Sequence, residues 1–374
     1  MSPTNPWQQF FTPPADGSAT ASVPMRLLRR NGNPFLLLPP DARLAVRSLA
    51  LYAAQTQAAR SAKALLRFGL RLGFSAVLEK TALNIAPGDA FANYLVQVVG
   101  QASRPALRER LALGPFATLA GNPNTAAQRC IFLLFDSRRQ PVAVVKAGAG
   151  EAAGRLIEQE QTFLKTVPAG TRAVPVLHSV FHSERLKAFA TNFFPGDSPR
   201  SIDASRLEEL FSSWLHPART TTIGELSSWQ KLLAAAGEHL PSQVKQLNSR
   251  TISPAISHGD FAPWNIKECC SHWTLLDWER GELEGLPVWD WLHFVVQPAI
   301  LVQHAFPDAI LKKLEDLFAS TPFARYAARA NVQNLERCLA VAYFHHCTHV
   351  LRQTEGLQTM EALADIASAK WLVL

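Results

Sequence analysis

The change of apolar periodicity along the chain is what most limits its fold. Residues 91–99, 116–120, 130–135 and 142–146 are short alternating or continuous apolar runs, and runs of that length between turn residues predict strands. A helical pattern follows over 151–165, then a strand over 188–194 that ends in Pro195-Gly196-Asp197, a turn and a candidate hinge. Beyond it the pattern is mostly helical: 201–215, with Asp203 or Ser205 as N-cap and Pro217 just past its end, and 222–240. A strand-rich half therefore precedes a helix-rich half, an α+β arrangement.

The chain has 374 residues, room for about two domains of the usual ~100–200 residues. No apolar run reaches the roughly 18 residues of a membrane span. The start, MSPTNPWQQFFTPPADGS, lacks the basic and apolar regions of a secretory signal, so a cytoplasmic protein is expected. Five cysteines, at 130, 269, 270, 338 and 347, form no CxxC pair, which argues against a disulfide framework or a zinc ribbon. The net charge of +7 suits phosphate ligands or an anionic surface. Without basic-aromatic alternation or a nucleic-acid motif, no nucleic acid partner is expected.

Eight prolines (3, 6, 13, 14, 24, 34, 39 and 40) fall in residues 1–40. Proline withholds its N–H from ladders and helices, so an extended, partly disordered arm is predicted. Residues 41–74 turn helical, with Arg60, Lys63, Arg67 and Arg71 at three- and four-residue steps on one face. Such a stripe is commonly the solvated face of a packed helix. It also suits peripheral contact with an anionic membrane or an acidic partner.

Chemistry concentrates in residues 256–279, ISHGDFAPWNIKECCSHWTLLDWE. Asp260 follows His-Gly, Asn265 comes five positions later, and Asp277 closes an apolar run. Phosphoryl transfer needs a carboxylate to orient or deprotonate the attacking hydroxyl, plus oxygen ligands for Mg²⁺ on the nucleotide phosphates. One amide and one carboxylate satisfy Mg²⁺ when phosphate and water complete its octahedron. Gly259 permits the sharp turn that presents Asp260 in a loop, and Pro263 keeps the segment out of helix. Strands at 265–269 and 273–276 around a turn at 270–272 bring Asn265 and Asp277 to one end of a hairpin. Each of these residues alone has an ordinary role as turn, cap or strand end; the joint arrangement does not. His258 is expected to be a structural hydrogen-bonder, because the aspartate beside it supplies the base.

In the strand-rich half, Lys146 ends an otherwise apolar strand, a costly place for an ammonium without a partner or a phosphate. The following helix carries Glu158 and Glu160, and a strand lysine facing a helix glutamate is the pair that holds nucleotide phosphates in kinases. The segment Gly121-Asn122-Pro123-Asn124-Thr125-Ala126-Ala127-Gln128 is either a phosphate-covering loop or an ordinary hairpin turn. KAGAGEAAG, with Gly148, Gly150 and Gly154, comes close to a dinucleotide-binding fingerprint. Its spacing is Gly-x-Gly-x-x-x-Gly, however, and no train of alternating strands and helices follows.

HGDFAPWNI, LLDWE and LPVWDWLHF together resemble the aminoglycoside phosphotransferase and choline kinase group, over about residues 110–300. The resemblance implies a bilobal protein-kinase-like fold. A small antiparallel-sheet N-lobe would occupy 86–195 and a larger, mostly helical C-lobe with the catalytic and substrate site 196–374; the helical extension 41–85, read from its spacing, lies outside the resemblance. It implies an ATP- or GTP-dependent, Mg²⁺-requiring kinase acting on a hydroxyl of a small molecule such as an amino sugar, sugar or amino alcohol. By position Asp260 resembles the catalytic aspartate, Asn265 and Asp277 the Mg²⁺ ligands, and Asp290 a supporting residue of the next helix. Lys146 and Glu160 look like the phosphate lysine and its partner, and residues 190–193, with Asn192 and Phe193, like the nucleotide hinge. The nucleotide loop is matched loosely by Gly121, Asn122, Asn124 and Thr125. The site so implied is bipartite, with Lys146 and its glutamate from one lobe and residues 256–279 from the other.

Two features depart from a protein kinase. Gly259 stands where those enzymes often carry an arginine that reads a phosphorylated activation loop. Only about a dozen residues separate Asp277 from the WDW helix start, too few for an activation segment ending in Ala-Pro-Glu. Glu279, Glu282 and Glu284 either line an acidic pocket for a cationic substrate or are solvated surface. His345, His346, Cys347 and His349 cluster without a glutamate base between them, and Tyr343, Phe344 and Val350 nearby point to packing. Trp264, Trp278, Trp289 and Trp291 are expected in the core, with one of them available to stack on a substrate ring. Two other functions stay open: a catalytically idle kinase-like binding or scaffold protein and, on the glycine pattern alone, a dinucleotide-binding oxidoreductase.

Overall fold

An Asn-Gly pair decides how the chain begins. Asn31 and Gly32, with φ of 50° and 78°, close a two-residue hairpin between β1 (Ala21–Arg30) and β2 (Asn33–Leu38), with Arg30 opposite Asn33. Residues 21–38 of the expected arm are therefore built into a sheet. Pro24 is tolerated because it lies where β1 pairs only with β3 (Glu79–Ile85), pairing with β2 starting at Arg26. Pro34 stands opposite Arg29 at a register shift, and Pro39 and Pro40 follow the strand's end.

The structure, a computed structural model, describes residues 6–12, 21–102, 113–121, 128–199, 201–216, 218–352 and 356–372. They fall into two units: residues 1–166, 175–197 and 267–271, and residues 167–174, 198–266 and 272–374. Among the described residues no helix is long and apolar enough to cross a membrane.

The first unit is an eight-stranded antiparallel sheet in the order β3-β1-β2-β4-β5-β6-β8-β7. Its further strands are β4 (Phe116–Ala120), β5 (Arg129–Phe135), β6 (Pro141–Ala149), β7 (Leu177–His182) and β8 (Leu186–Asn192). The pleat sends successive side chains to opposite faces. Leu37 of β2 thus joins Met25, Phe91 and Phe132 in one cluster, while Leu36 and Leu38 join Ala45, Leu49 and Leu70 in another. The first cluster includes α3 (Ala90–Ala102); the second includes α1 (Ala42–Ser48) and α2 (Gln57–Arg71). Because both faces are covered, the strands read as nearly continuous apolar runs.

Residues 91–99, expected as a strand, form α3 instead. Its buried Phe91, Ala92, Tyr94, Leu95, Val98 and Val99 follow a helical stripe, and Asp89 caps it by accepting from the Ala92 N–H at 2.7 Å. A solidly apolar run does not tell strand from helix; the capping aspartate does. The basic residues of α2 also divide. Lys63 turns inward, its Nζ 2.7 Å from the Tyr52 carbonyl and 3.2 Å from Asp197 Oδ1 in the Pro195-Gly196-Asp197 turn.

The glycines of KAGAGEAAG serve packing. A Cβ on Gly148 would lie 2.8 Å from the Ala153 carbonyl, so glycine lets α4 (Glu151–Thr166) start against β6. A dinucleotide-binding domain needs parallel strands, and every pairing in this sheet is antiparallel. The oxidoreductase alternative is thereby removed.

The second unit is mostly helical. It holds α5 (Ala204–Trp214), with Asp203 accepting from the Ser205 N–H at 3.2 Å as one of the two expected caps; Pro217 lies outside the described residues. There follow β9 (Thr221–Thr222), α6 (Ser227–Ala236), α7 (Ser242–Lys245), β10 (Thr251–Ile252), β11 (Ala255–Ser257) and β12 (Ile266–Cys269), in which the chain enters the first unit. After β13 (His272–Leu275) and β14 (Glu282–Gly285) come α8 (Trp289–Leu301), α9 (Pro307–Phe318), α10 (Thr321–Ala330), α11 (Glu336–His345) and α12 (Leu357–Trp371). Phe211 packs on Phe261 and Trp291 with ring centroids 4.9 and 5.3 Å away, and Trp278 lies 5.4 Å from Trp214. Three of the four tryptophans expected in the core, Trp278, Trp289 and Trp291, are buried there.

Candidate active site

β11 pairs antiparallel with β14 and delivers the chain into the loop that carries Asp260. Gly259 has φ of 74°, and a Cβ there would lie 2.7 Å from the Cβ and the carbonyl oxygen of Arg280, so the turn admits only glycine. The loop backbone is clamped from the first turn of α8: Asp290 Oδ2 accepts from the His258 N–H at 2.6 Å and Oδ1 from the Gly259 N–H at 2.9 Å. Burial pushes the Asp290 carboxyl up, while the His258 ring and these two N–H donors act the other way. His258 is fully buried. Its Nε2 donates to the Leu276 carbonyl at 3.0 Å and its Nδ1 accepts from the Asp260 N–H at 3.2 Å. Burial depresses its pKa, and an accepting Nδ1 needs the neutral ring, so His258 is the structural hydrogen-bonder expected.

Asp260 is held at both oxygens. His293 Nε2 donates to Oδ1 at 3.0 Å and Asn265 Nδ2 to Oδ2 at 3.0 Å, the same amide reaching the Asp260 carbonyl at 2.8 Å. Burial pushes this carboxyl up and Asp277 adds repulsion. The hydrogen bond from His293, with the Arg280 guanidinium Nη1 at 3.9 Å, outweighs them and holds it below the ordinary aspartate value. The Asp260 side chain is 28% exposed against 2% for His293, so the acid faces solvent from a buried support.

Asn265 commits its amide nitrogen to Asp260, leaving the amide oxygen as the end that can meet a cation. Its backbone carbonyl accepts from the Leu276 N–H at 2.8 Å, which sets Asn265 beside the residue preceding Asp277, as the spacing required. Asp277 has φ of 74°, a left-handed conformation uncommon outside glycine and of the kind that collects at functional sites. Among the described residues no group of three or more His, Cys, Asp or Glu forms a metal cage. The donor set of one amide oxygen with carboxylates nearby instead fits Mg²⁺ shared with phosphates and water.

His293 and Tyr343 carry no motif in the sequence. His293 lies three residues after Asp290 on α8, so both reach the same loop, and the Tyr343 hydroxyl donates to its Nδ1 at 3.1 Å. The one signal for His293 is its spacing from Asp290 in WDWLH.

In the first unit, Lys146 of β6 places Nζ 2.8 and 2.7 Å from the two carboxylate oxygens of Glu160 on α4, the glutamate buried and the lysine half-buried. Glu158 pairs instead with Lys187 at the surface. Asn192 ends β8 opposite Ala143, and the Phe193 N–H donates to the Val142 carbonyl at 3.1 Å. Gly121 donates its N–H to the Arg129 carbonyl at 2.7 Å; Asn122, Asn124 and Thr125 lie outside the described residues.

Two expectations are narrowed. Glu282 pairs with Lys231 at 3.0 Å and Glu284 with Arg219, so neither offers an unpaired acid to a cationic substrate. The His345 and His349 rings stack at 5.8 Å and 13°, and those of His239 and His349 at 5.5 Å and 6°. Parallel rings do not aim their nitrogens at one point, so this cluster packs rather than binds metal.

No family model and no curated protein matches the chain. Among solved structures it is similar to a thermostable mutant of aminoglycoside phosphotransferase APH(4)-Ia in ternary complex with ADP and hygromycin B. The identity is 10%, over 76% of this chain and 99% of that one, with a TM-score of 0.46. A structure described as a fructosamine-3-kinase from Haemophilus somnus 129PT shows 12% identity over 73% and 96%, with a TM-score of 0.41. Aminoglycoside phosphotransferase APH(3'')-Id from Streptomyces rimosus ATCC10970 shows 12% over 58% and 88%, with a TM-score of 0.38.

Proposed function

We propose that this chain is a phosphotransferase that moves the γ-phosphoryl group of ATP or GTP to a hydroxyl of a small molecule. The observation that carries the proposal is Asp260, a carboxylate held at both oxygens by His293 and Asn265 while its side chain stays partly exposed. In the reaction the acceptor oxygen bonds to the γ-phosphorus, and the bond from that phosphorus to the β–γ bridging oxygen breaks. The nucleoside diphosphate leaves with the bond's electron pair, and the hydroxyl proton passes to Asp260 and on to solvent. A carboxylate with a depressed pKa is a weak base, so its main work is to orient the hydroxyl, and the proton leaves late, as a loose transition state allows. Asn265 and Asp277 would hold Mg²⁺, which when bound neutralises charge on the transferring phosphates. Lys146, aligned by Glu160, donates to the nucleotide phosphates.

The segment from Asp277 to Asp290 holds only β14 and its flanking turns, which favours a small acceptor such as a sugar, amino sugar or amino alcohol over a protein. The test is nucleoside diphosphate release across a panel of hydroxylated acceptors, for the wild type and Asp260→Ala. Acceptor-dependent release lost in the variant supports the proposal. No release with any acceptor and no binding of any nucleoside triphosphate would leave the idle kinase-like protein in its place.

A further inference from the structure

Helix α2 begins where Thr56 accepts from the Ala59 N–H at 3.1 Å and buries one narrow face, Lys63 and Leu70, with Leu66 half-buried beside them. Its outer face is not the polar surface that a packed helix presents. Leu65, Phe68 and Leu72 recur at i, i+3 and i+7, and the turn that follows adds Phe74 and Val77. These five side chains are 55–77% exposed. They are half of the ten large apolar residues exposed among the described residues, gathered into thirteen positions. Contiguous apolar patches of this kind mark an interaction surface.

Charge identifies the partner. Arg60, Arg67 and Arg71 run along one flank of the ridge, and residues 42–78 hold six basic residues and no acidic one. We propose that α2 and the turn after it form a peripheral membrane-docking element. In it Leu65, Phe68, Leu72, Phe74 and Val77 enter the boundary between headgroups and acyl chains of an anionic bilayer, and the three arginines meet lipid phosphates. An apolar ridge flanked by cationic side chains is the arrangement that lies in such an interface. A second copy of the chain fits worse, because packing this face on itself would oppose rows of arginine. The docking element is independent of phosphotransfer and stands or falls without it.

The test is cosedimentation of the full chain with vesicles of phosphatidylcholine alone or with about 30% phosphatidylserine. Binding at least ten-fold stronger to the anionic vesicles is expected. It should fall at least ten-fold in Leu65→Ser/Phe68→Ser/Leu72→Ser and lose its preference for anionic lipid in Arg60→Gln/Arg71→Gln. The single Phe68→Ser, at a solvent-facing position, gives an intermediate loss, and circular dichroism and the melting temperature confirm that each variant folds. The proposal is overturned if the wild type ignores anionic vesicles or if the triple variant binds them as well as the wild type. It is equally overturned if the ridge mediates a dimer that the triple variant dissolves, or if an acidic peptide captures the chain where anionic vesicles do not.

Discussion

The Lys146–Glu160 pair and the Asp260 cluster both hold charge at partly buried positions, but they are balanced in opposite ways. In the pair one ammonium meets both oxygens of one carboxylate, so the charge is cancelled locally. In the cluster Asp260 and Asp290 are gripped mainly by amide N–H groups, an asparagine and a histidine. Donors of that kind fix direction without supplying a full opposing charge, so the loop keeps negative potential for a cation or an acceptor hydroxyl. One region holds a cation against its counter-ion; the other holds anionic oxygens in set positions.

Substitutions can break this comparison at either end. Asp260→Ala should lower kcat by about 10³-fold, within the usual range for a positioned acid–base group, while nucleotide Kd by calorimetry changes little. Equal losses in both would make Asp260 a general binding residue. Asp290→Ala leaves two buried N–H donors without their acceptor and should cost about 3 kcal/mol in urea unfolding. A cost near zero would mean that the loop holds its shape without the clamp. Lys146→Met should raise the nucleotide KM roughly ten-fold, a loss of about 1.4 kcal/mol, with a smaller change in acceptor KM.

The last prediction concerns pH. The folded-state pKa of Asp260 lies below its unfolded value. Its stabilising interactions are therefore present above the unfolded pKa and lost as pH falls through the folded one, and the wild-type acid limb of kcat/KM from this group falls below the ordinary aspartate range. His293→Phe removes the main lowering interaction and leaves burial to act, so that limb should move up in pH. An unmoved limb would reduce His293 to packing.

Much of the Asp260 region was legible in the sequence because its chemistry is local. Gly259, Asp260, Asn265 and Asp277 lie within twenty residues, and the turn conformations they need restrict residue type. Lys146 and Glu160 were legible for a similar reason, one strand and one helix apart. His293 and Tyr343 were not, since their contacts depend on how α8 and α11 pack and no residue-type rule marks them. The fold was misread where a local signal was passed over: Asn31-Gly32 marks a hairpin inside the proline-rich stretch, and Asp89 caps an apolar run that hydrophobicity alone leaves ambiguous. The apolar ridge of α2 was hidden differently. Its arginines show in the sequence, but only burial tells that Leu66 and Leu70 face in while Leu65, Phe68 and Leu72 face out.

The most direct test of the central claim is the thermal shift given by ATP, with and without Mg²⁺, for the wild type, Asp260→Ala and Asp277→Ala. Stabilisation that depends on Mg²⁺, persists in Asp260→Ala and is lost in Asp277→Ala is predicted. Stabilisation that ignores Mg²⁺, or that survives intact in Asp277→Ala, would contradict it.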